Sequence, residues 1–158
     1  MEELFRAREI LEEITPLWED CGALCGAACC HADADGQGGV YLFPGEEALL
    51  KDCSWGRIER DAFGPMLICL QPCDRAKRPL GCRLFPLTPC PGRKGWTVRM
   101  DARARAMCPL SRAGLRGLSP EFLKAARRAV LCIAQAPEGE AFLRKWHALE
   151  EEFRRPLW

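Results

Sequence analysis

The sequence predicts an α+β fold: an N-terminal helix, a small cysteine-rich metal-binding core with short strands, and a C-terminal helical hairpin. Three observations carry that expectation. Apolar residues recur at helical spacing near both ends, short β-prone runs between turn signals fill the middle, and eleven of the 158 residues are cysteine. A chain of this length suits one domain spanning 1–158, with the cysteine-cluster region over about 20–110 and the helical hairpin over about 119–155.

Leu4, Ala7, Leu11, Ile14 and Trp18 keep one helix face apolar, which predicts a helix over residues 2–18 that breaks or restarts at Thr15-Pro16. Small residues then separate the thiols of Cys21-Gly-Ala-Leu-Cys25-Gly-Ala-Ala-Cys29-Cys30, where Gly and Ala let backbone wrap closely. The stretch from His31 to Gly39 is a loop by composition. Val40 to Phe43 reads as a short strand closed by Pro44-Gly45, Glu46 to Asp52 as a short helix, and Met66 to Leu70 as a buried strand or turn. Cys82–Leu87 and Trp96–Met100 are expected to pair as a hairpin across Pro91–Gly95. Ser119-Pro120-Glu121 combines a cap, a first-turn proline and a first-turn acid. It opens a helix with Phe122, Ala125, Ala126, Ala129, Val130 and Ile133 on one face. A second helix from about Glu138 carries Phe142, Trp146, Leu149 and Phe153, and the pair is expected to pack as an antiparallel hairpin.

Composition narrows the function classes. With 48% hydrophobic residues the chain can bury a core, and its formal net charge of +1 disfavours a protein that coats polyanions. No apolar run reaches the roughly 18 residues of a membrane span, and the acidic, amphipathic start lacks the look of a secretory signal. The expected compartment is therefore the reducing cytoplasm, where structural disulfides seldom persist. The charge is uneven: residues 57–116 hold 13 basic and four acidic side chains, a net of +9. Cations of this kind either offset an anionic thiolate site or form a solvated or phosphate-binding face.

The cysteines carry the chemistry. The first group is Cys-x3-Cys-x3-Cys-Cys, and the second is Cys69-x3-Cys73-x8-Cys82 with Cys90 and Cys108 beyond. Thiolate is a soft, anionic ligand, and four satisfy either a tetrahedral zinc or an iron–sulfur cubane. The candidate metal ligands are Cys21, Cys25, Cys29, Cys30, Cys69, Cys73, Cys82 and Cys108, enough for two four-thiolate sites or for one site with reserve thiols. Adjacent side chains rarely aim at one metal, so Cys30 either binds a second ion or sits behind the first. The absence of Cys-x2-Cys knuckles and the Cys108-Pro109 pair favour an iron–sulfur cluster slightly over zinc. Cys53 and Cys90 are balanced between ligand and buried thiol, and mid-helix Cys132 is read as core packing.

Other candidates are weaker. His31 is a loop histidine or a fourth ligand, and His147 has no acid–base partner in the sequence. Asp33 and Asp35 match only the start of a calcium loop. Arg78-Pro79 and Arg83 form either a charged turn or charge-assisted support for thiolates. Cys21, Cys25 and Cys29 approach the radical-SAM run, but the last spacing is one residue too long and the chain is too short for the usual barrel.

These residues resemble the YkgJ-like cysteine-cluster family, described as zinc- or iron-chelating. The resemblance lies in CGALCGAACC, in CLQPCDRAKRPLGCRLFPL and in Cys108-Pro109, and it spans roughly residues 20–110. The sequence departs from the pattern by an extra residue before the Cys29-Cys30 pair, a shorter stretch from Cys73 to Arg78, and the added thiol Cys53. The resemblance implies chelation, and similar clusters occur in flagellin lysine methylases.

Three functions compete. The first is a cytosolic metal–thiolate protein holding an iron–sulfur cluster or zinc for redox, metal handling or structural support. The second is an enzyme or accessory factor for protein modification, although no catalytic constellation is visible beyond the cysteines. The third is a zinc-stabilised nucleic-acid or protein interaction module. Nucleic acid is disfavoured because few aromatics interleave the basic segment.

Overall fold

The computed structural model describes residues 1–30, 38–71 and 73–155. Within them the chain is α+β, with an N-terminal helix, two small antiparallel sheets and two long C-terminal helices.

Helix α1 runs only from Glu2 to Ile10, shorter than the residue 2–18 span expected from its apolar spacing. Leu4, Ala7 and Leu11 are buried as that spacing requires, but Trp18 is 77% exposed. Thr15 and Pro16 keep the helix from running on through residues 15–18, although it already ends at Ile10. The Thr15 hydroxyl donates to the carbonyls of Leu17 and Glu19 at 2.6 and 3.1 Å, a local turn that competes with helix. Proline also disfavours helical backbone in the residue before it.

The first sheet has the order β1–β3–β2, built from β1 (Val40–Tyr41), β2 (Gly56–Arg60) and β3 (Pro65–Cys69). Strand β1 ends two residues before the expected Phe43, because Phe43 and the following Pro44-Gly45 turn away into a 3₁₀ helix over Glu46–Leu49. Strand β2 has no clear signature in the sequence, since Arg57, Glu59 and Arg60 interrupt any apolar alternation. Leu42 and Phe43 separate two cores. Leu42 joins Leu50, Trp55 and Leu67 under the sheet, whereas Phe43 enters the main core.

The second sheet is the hairpin of β4 (Leu87–Gly92) and β5 (Gly95–Met100), with Leu87 opposite Met100 and Gly92 opposite Gly95. The expected first strand is therefore displaced. Residues Leu80–Leu84 form a short helix, and the strand begins only after Pro86. Between β5 and the long helices lie a helical turn at Ala104–Met107 and a 3₁₀ stretch at Pro109–Gly117, neither foreseen. In chain order the short helices are α2 (Gly22–Cys25), α3 (Leu80–Leu84) and α4 (Ala104–Met107).

Helix α5 spans Pro120–Ile133, and the Ser119 Oγ accepts the Phe122 N–H at 3.0 Å, the cap its sequence predicts. Its buried Phe122, Ala125, Ala126, Ala129, Val130 and Ile133 bring it against α1 and β5. Helix α6 spans Pro137–Arg154 and packs on β4. The two are consecutive but do not form the expected antiparallel pair, because the apolar face of each is taken up by the hairpin and α1. Burying Phe122 completely contributes about 1.5–3 kcal/mol. Among the described residues no helix is long and apolar enough to cross a membrane.

Candidate metal centre

The first thiol group sits on two tight turns. Asp20 Oδ1 accepts the Gly22 N–H at 3.1 Å and starts α2, which places Cys21 and Cys25 one helical turn apart. Gly26 (φ 60°) and Ala27 (φ 55°) then both adopt left-handed backbone. Glycine takes that conformation freely, while alanine carries strain there. The double reversal returns the chain so that Cys29 and Cys30, in a 3₁₀ turn over Ala28–Cys30, come back to Cys21.

The second group is carried by the sheet, a loop and α3. Cys69 ends β3 opposite Gly56. Cys53 lies at the same end of the sheet, donating its S–H to the Gly56 carbonyl at 3.7 Å. Cys82 lies in α3, whose neighbour Gly81 is required by packing: a Cβ there would stand 2.6 Å from Val40 Cγ2 and 2.9 Å from Trp146 Cη2. Cys108 follows α4, and its carbonyl accepts from the Ser111 hydroxyl at 2.7 Å and from the Ser111 N–H at 3.1 Å.

A buried ionic network that sequence reasoning missed fixes this group. Glu46 is fully buried and accepts from Arg8 at 2.7 Å, from the Leu80 N–H at 2.6 Å and from the Phe43 N–H at 3.2 Å. It thereby caps the N-terminus of α3. Burial pushes its pKa up, against the pull of these donors. Arg8 also donates to the carbonyls of Arg78 and Ala76 at 3.0 and 3.1 Å. Buried Arg83 donates to the carbonyls of Arg75, Ala76 and Arg78, each at 3.0 Å. Two guanidiniums thus clamp the backbone of the 75–78 loop. Arg78 lies within electrostatic range of Cys73, Cys30 and Cys82. Arg83 supports the loop rather than the thiols. Nothing in the sequence separates Glu46 from the adjacent Glu47, because its partners Arg8 and Leu80 lie 38 and 34 residues away.

Six of the eight candidate thiols line one space. Cys21, Cys25, Cys29, Cys30, Cys82 and Cys108 line one cavity of about 340 Å³. Cys69 and Cys73 lie outside its lining, Cys69 within electrostatic range of Cys30 and Cys82 and Cys73 of Cys69 and Cys82. Arg75, Arg78, Arg83 and Arg103 also line the cavity, alongside Glu12, Asp20 and Asp101. Part of the +9 segment therefore surrounds the thiols. Other cations of that segment are paired with acids, such as Arg57 with Glu59 at 2.7 Å and Arg99 with Glu150 and Glu151.

The crowded thiols raise one another. Burial and then its thiol neighbours push Cys69 up to about 11 and Cys82 well above the ordinary thiol range. Cys29 is raised first by its hydrogen bond with Cys30 and then by burial. A cation at the site reverses this, because metal-bound thiolates are deprotonated. The donor set thus fits a soft metal. All eleven cysteines are free thiols.

The remaining candidates fall elsewhere. Cys90 is buried in β4 near Arg99 and Glu150, and Cys132 is buried in α5, its thiol 3.5 Å from the Glu3 carbonyl. Neither reaches the cluster. His31, Asp33 and Asp35 lie outside the described residues. Among the described residues, His147, Glu150 and Glu151 are the one group of three ligand atoms within 4.8 Å of one another. The Arg99 guanidinium already occupies both carboxylates, and Arg154 adds a bond to Glu150 at 2.8 Å. This is an ion-pair network, not a vacant cation site. Comparison with protein-family models, curated proteins and solved structures finds no match to this chain.

Proposed function

We propose that this chain is a metal–thiolate protein, holding an iron–sulfur cluster or zinc through its two cysteine groups. One observation carries the reading. Six cysteines from separate segments line one cavity edged by four guanidiniums, and Cys69 and Cys73 stand within electrostatic range of Cys82, while Cys90 and Cys132 stand apart. The reading agrees with the resemblance to the YkgJ-like cysteine-cluster family.

The irregular Cys-x3-Cys spacings and the Cys108-Pro109 pair support the iron–sulfur alternative slightly over zinc. Redox work, metal handling or structural support in a reducing compartment are the roles such a centre serves. A second reading, an enzyme or accessory factor for protein modification, is favoured by the cavity itself, whose volume matches small-ligand sites. For the nucleic-acid reading there remain the exposed Lys77, Arg93, Lys94, Arg105, Arg112 and Arg116, since the other cations of the basic segment line the thiol cavity or pair with carboxylates.

Replacing Cys25 or Cys82 with Ser is expected to lower bound metal and thermal stability together, whereas Cys90→Ala and Cys132→Ala keep the full metal content. Metal analysis and melting of the four variants check this. Unchanged metal and melting in both Cys25→Ser and Cys82→Ser would contradict it.

A further inference from the structure

We infer that Cys53 is a further metal ligand, joining Cys69 and Cys73 in a thiolate site at the end of the three-stranded sheet. The inference rests on the metal–thiolate reading and adds to it a thiol beyond the eight candidates, the one by which the sequence departs from the cysteine-cluster pattern.

The backbone brings the three together. Cys69 closes β3 directly opposite Gly56, the first residue of β2, and partners so placed have Cα atoms about 4.5–5.5 Å apart. Gly56 permits the close approach, since a Cβ there would stand 2.9 Å from the Ile68 carbonyl oxygen. The Trp55 carbonyl accepts the N–H groups of Leu70 and Gln71 at 3.0 and 3.3 Å. The turn that carries Cys53 into β2 is thereby tied to the segment that leads from Cys69 toward Cys73. The Cys53 Sγ stands 3.7 Å from the carbonyl oxygen of Gly56, the residue that faces Cys69. The three side chains also share one seat. Cys53, Cys69 and Cys73 all pack on the small core of Leu42, Leu50, Trp55 and Leu67, and all are half-buried. Cys90, by contrast, is buried opposite Thr97 in the hairpin, and Cys132 is buried against the Glu3 carbonyl. The sulfurs of the trio are not drawn within 4.8 Å of one another. A soft cation closes the site by side-chain rotation, for which Cys53 gives up only a weak S–H bond. None of the three lines the large cavity, so Cys53 adds a donor on the sheet side of the centre.

The test uses the full chain purified without oxygen and follows metal by elemental analysis during competition with a chelator. Cys53→Ser keeps a hydroxyl that can donate to the Gly56 carbonyl, so a merely structural thiol predicts unchanged metal. Loss of a ligand instead predicts that Cys53→Ser gives up metal about tenfold faster or more than wild type, as Cys69→Ser does, while Cys90→Ala matches wild type. A Cys53→Ser chain that equals wild type in both metal content and rate of loss would overturn the assignment. A wild-type chain without metal would instead overturn the reading beneath it. Should the variant fail to fold, the unmodified chain decides: alkylation read by mass spectrometry is expected to find Cys53 protected with Cys69 and Cys73 while metal is bound, and labelled with them once it is removed. A Cys53 that labels equally with and without metal would refute the site.

Discussion

The part of the molecule built on α1, the β4–β5 hairpin and the two long helices is held by regular hydrogen bonding around a continuous apolar core. The segment from Cys21 to Arg78 is held differently, by 3₁₀ turns, a small three-stranded sheet, left-handed backbone and polar clamps. The cysteines register the same contrast. In the helical and hairpin part, Cys90 and Cys132 are buried like any small apolar side chain. In the other segment the cysteines are half-buried except Cys29, which is exposed. A thiol used for packing is enclosed on all sides, whereas a thiol that faces a cavity keeps one side open for a ligand. The count of cysteines does not show this difference; their environments set the buried Cys90 and Cys132 apart from the candidate ligands.

That comparison can be broken or sharpened by experiment. The largest effect is expected from chelation under reducing conditions. It should raise amide hydrogen exchange across residues 21–78 by at least tenfold and leave α5 and α6 protected, because binding energy there substitutes for apolar burial. Equal loss of protection in both parts would show that the two are not distinct. Next comes the link between them. Glu46→Ala leaves Arg8 largely buried without its carboxylate and the Leu80 N–H without its acceptor, at a cost of about 3–5 kcal/mol by denaturant unfolding. A loss below about 1 kcal/mol would mean the network is solvated.

Gly81→Ala drives a Cβ into Val40 and Trp146 and is expected to cost about 1–3 kcal/mol. In a chain of this size that lowers Tm by about 2–4 °C for each kcal/mol. The smallest effect lies wholly within the helical part. Arg154, Arg99 and the Ala102 N–H hold the Glu150 carboxyl below its ordinary value despite its burial. A lowered carboxyl pKa stabilises the fold above the free value and loses that contribution as pH falls through the folded one. The stability gap between wild type and Glu150→Gln should therefore be full near neutral pH and shrink below about 4. A gap that widens on acidification would assign the opposite sign.

The sequence makes some of this legible and hides the rest for physical reasons. The Ser119 cap and the apolar stripe of α5 act locally, so their pattern is enough to place that helix. Thr15-Pro16 marks a break, but whether helix resumes beyond it depends on tertiary contacts, and here it does not. Strand β2 escapes detection because Arg57, Glu59 and Arg60 sit on a largely exposed edge strand. The helical hairpin is misjudged because two apolar faces fit each other as readily as they fit a sheet. The eight candidate thiols are recoverable from spacing and residue type. The cavity that six of them line is not, since it depends on the left-handed turn at Gly26 and Ala27 and on the Arg8–Glu46 clamp, which acts across 38 residues of sequence.

Metal and acid-labile sulfide content, measured with the visible spectrum on protein purified without oxygen, tests the metal–thiolate account most directly. The account predicts bound metal: brown protein with sulfide matching iron for clusters, or colourless protein with zinc and no sulfide. A folded, colourless chain free of metal would contradict it.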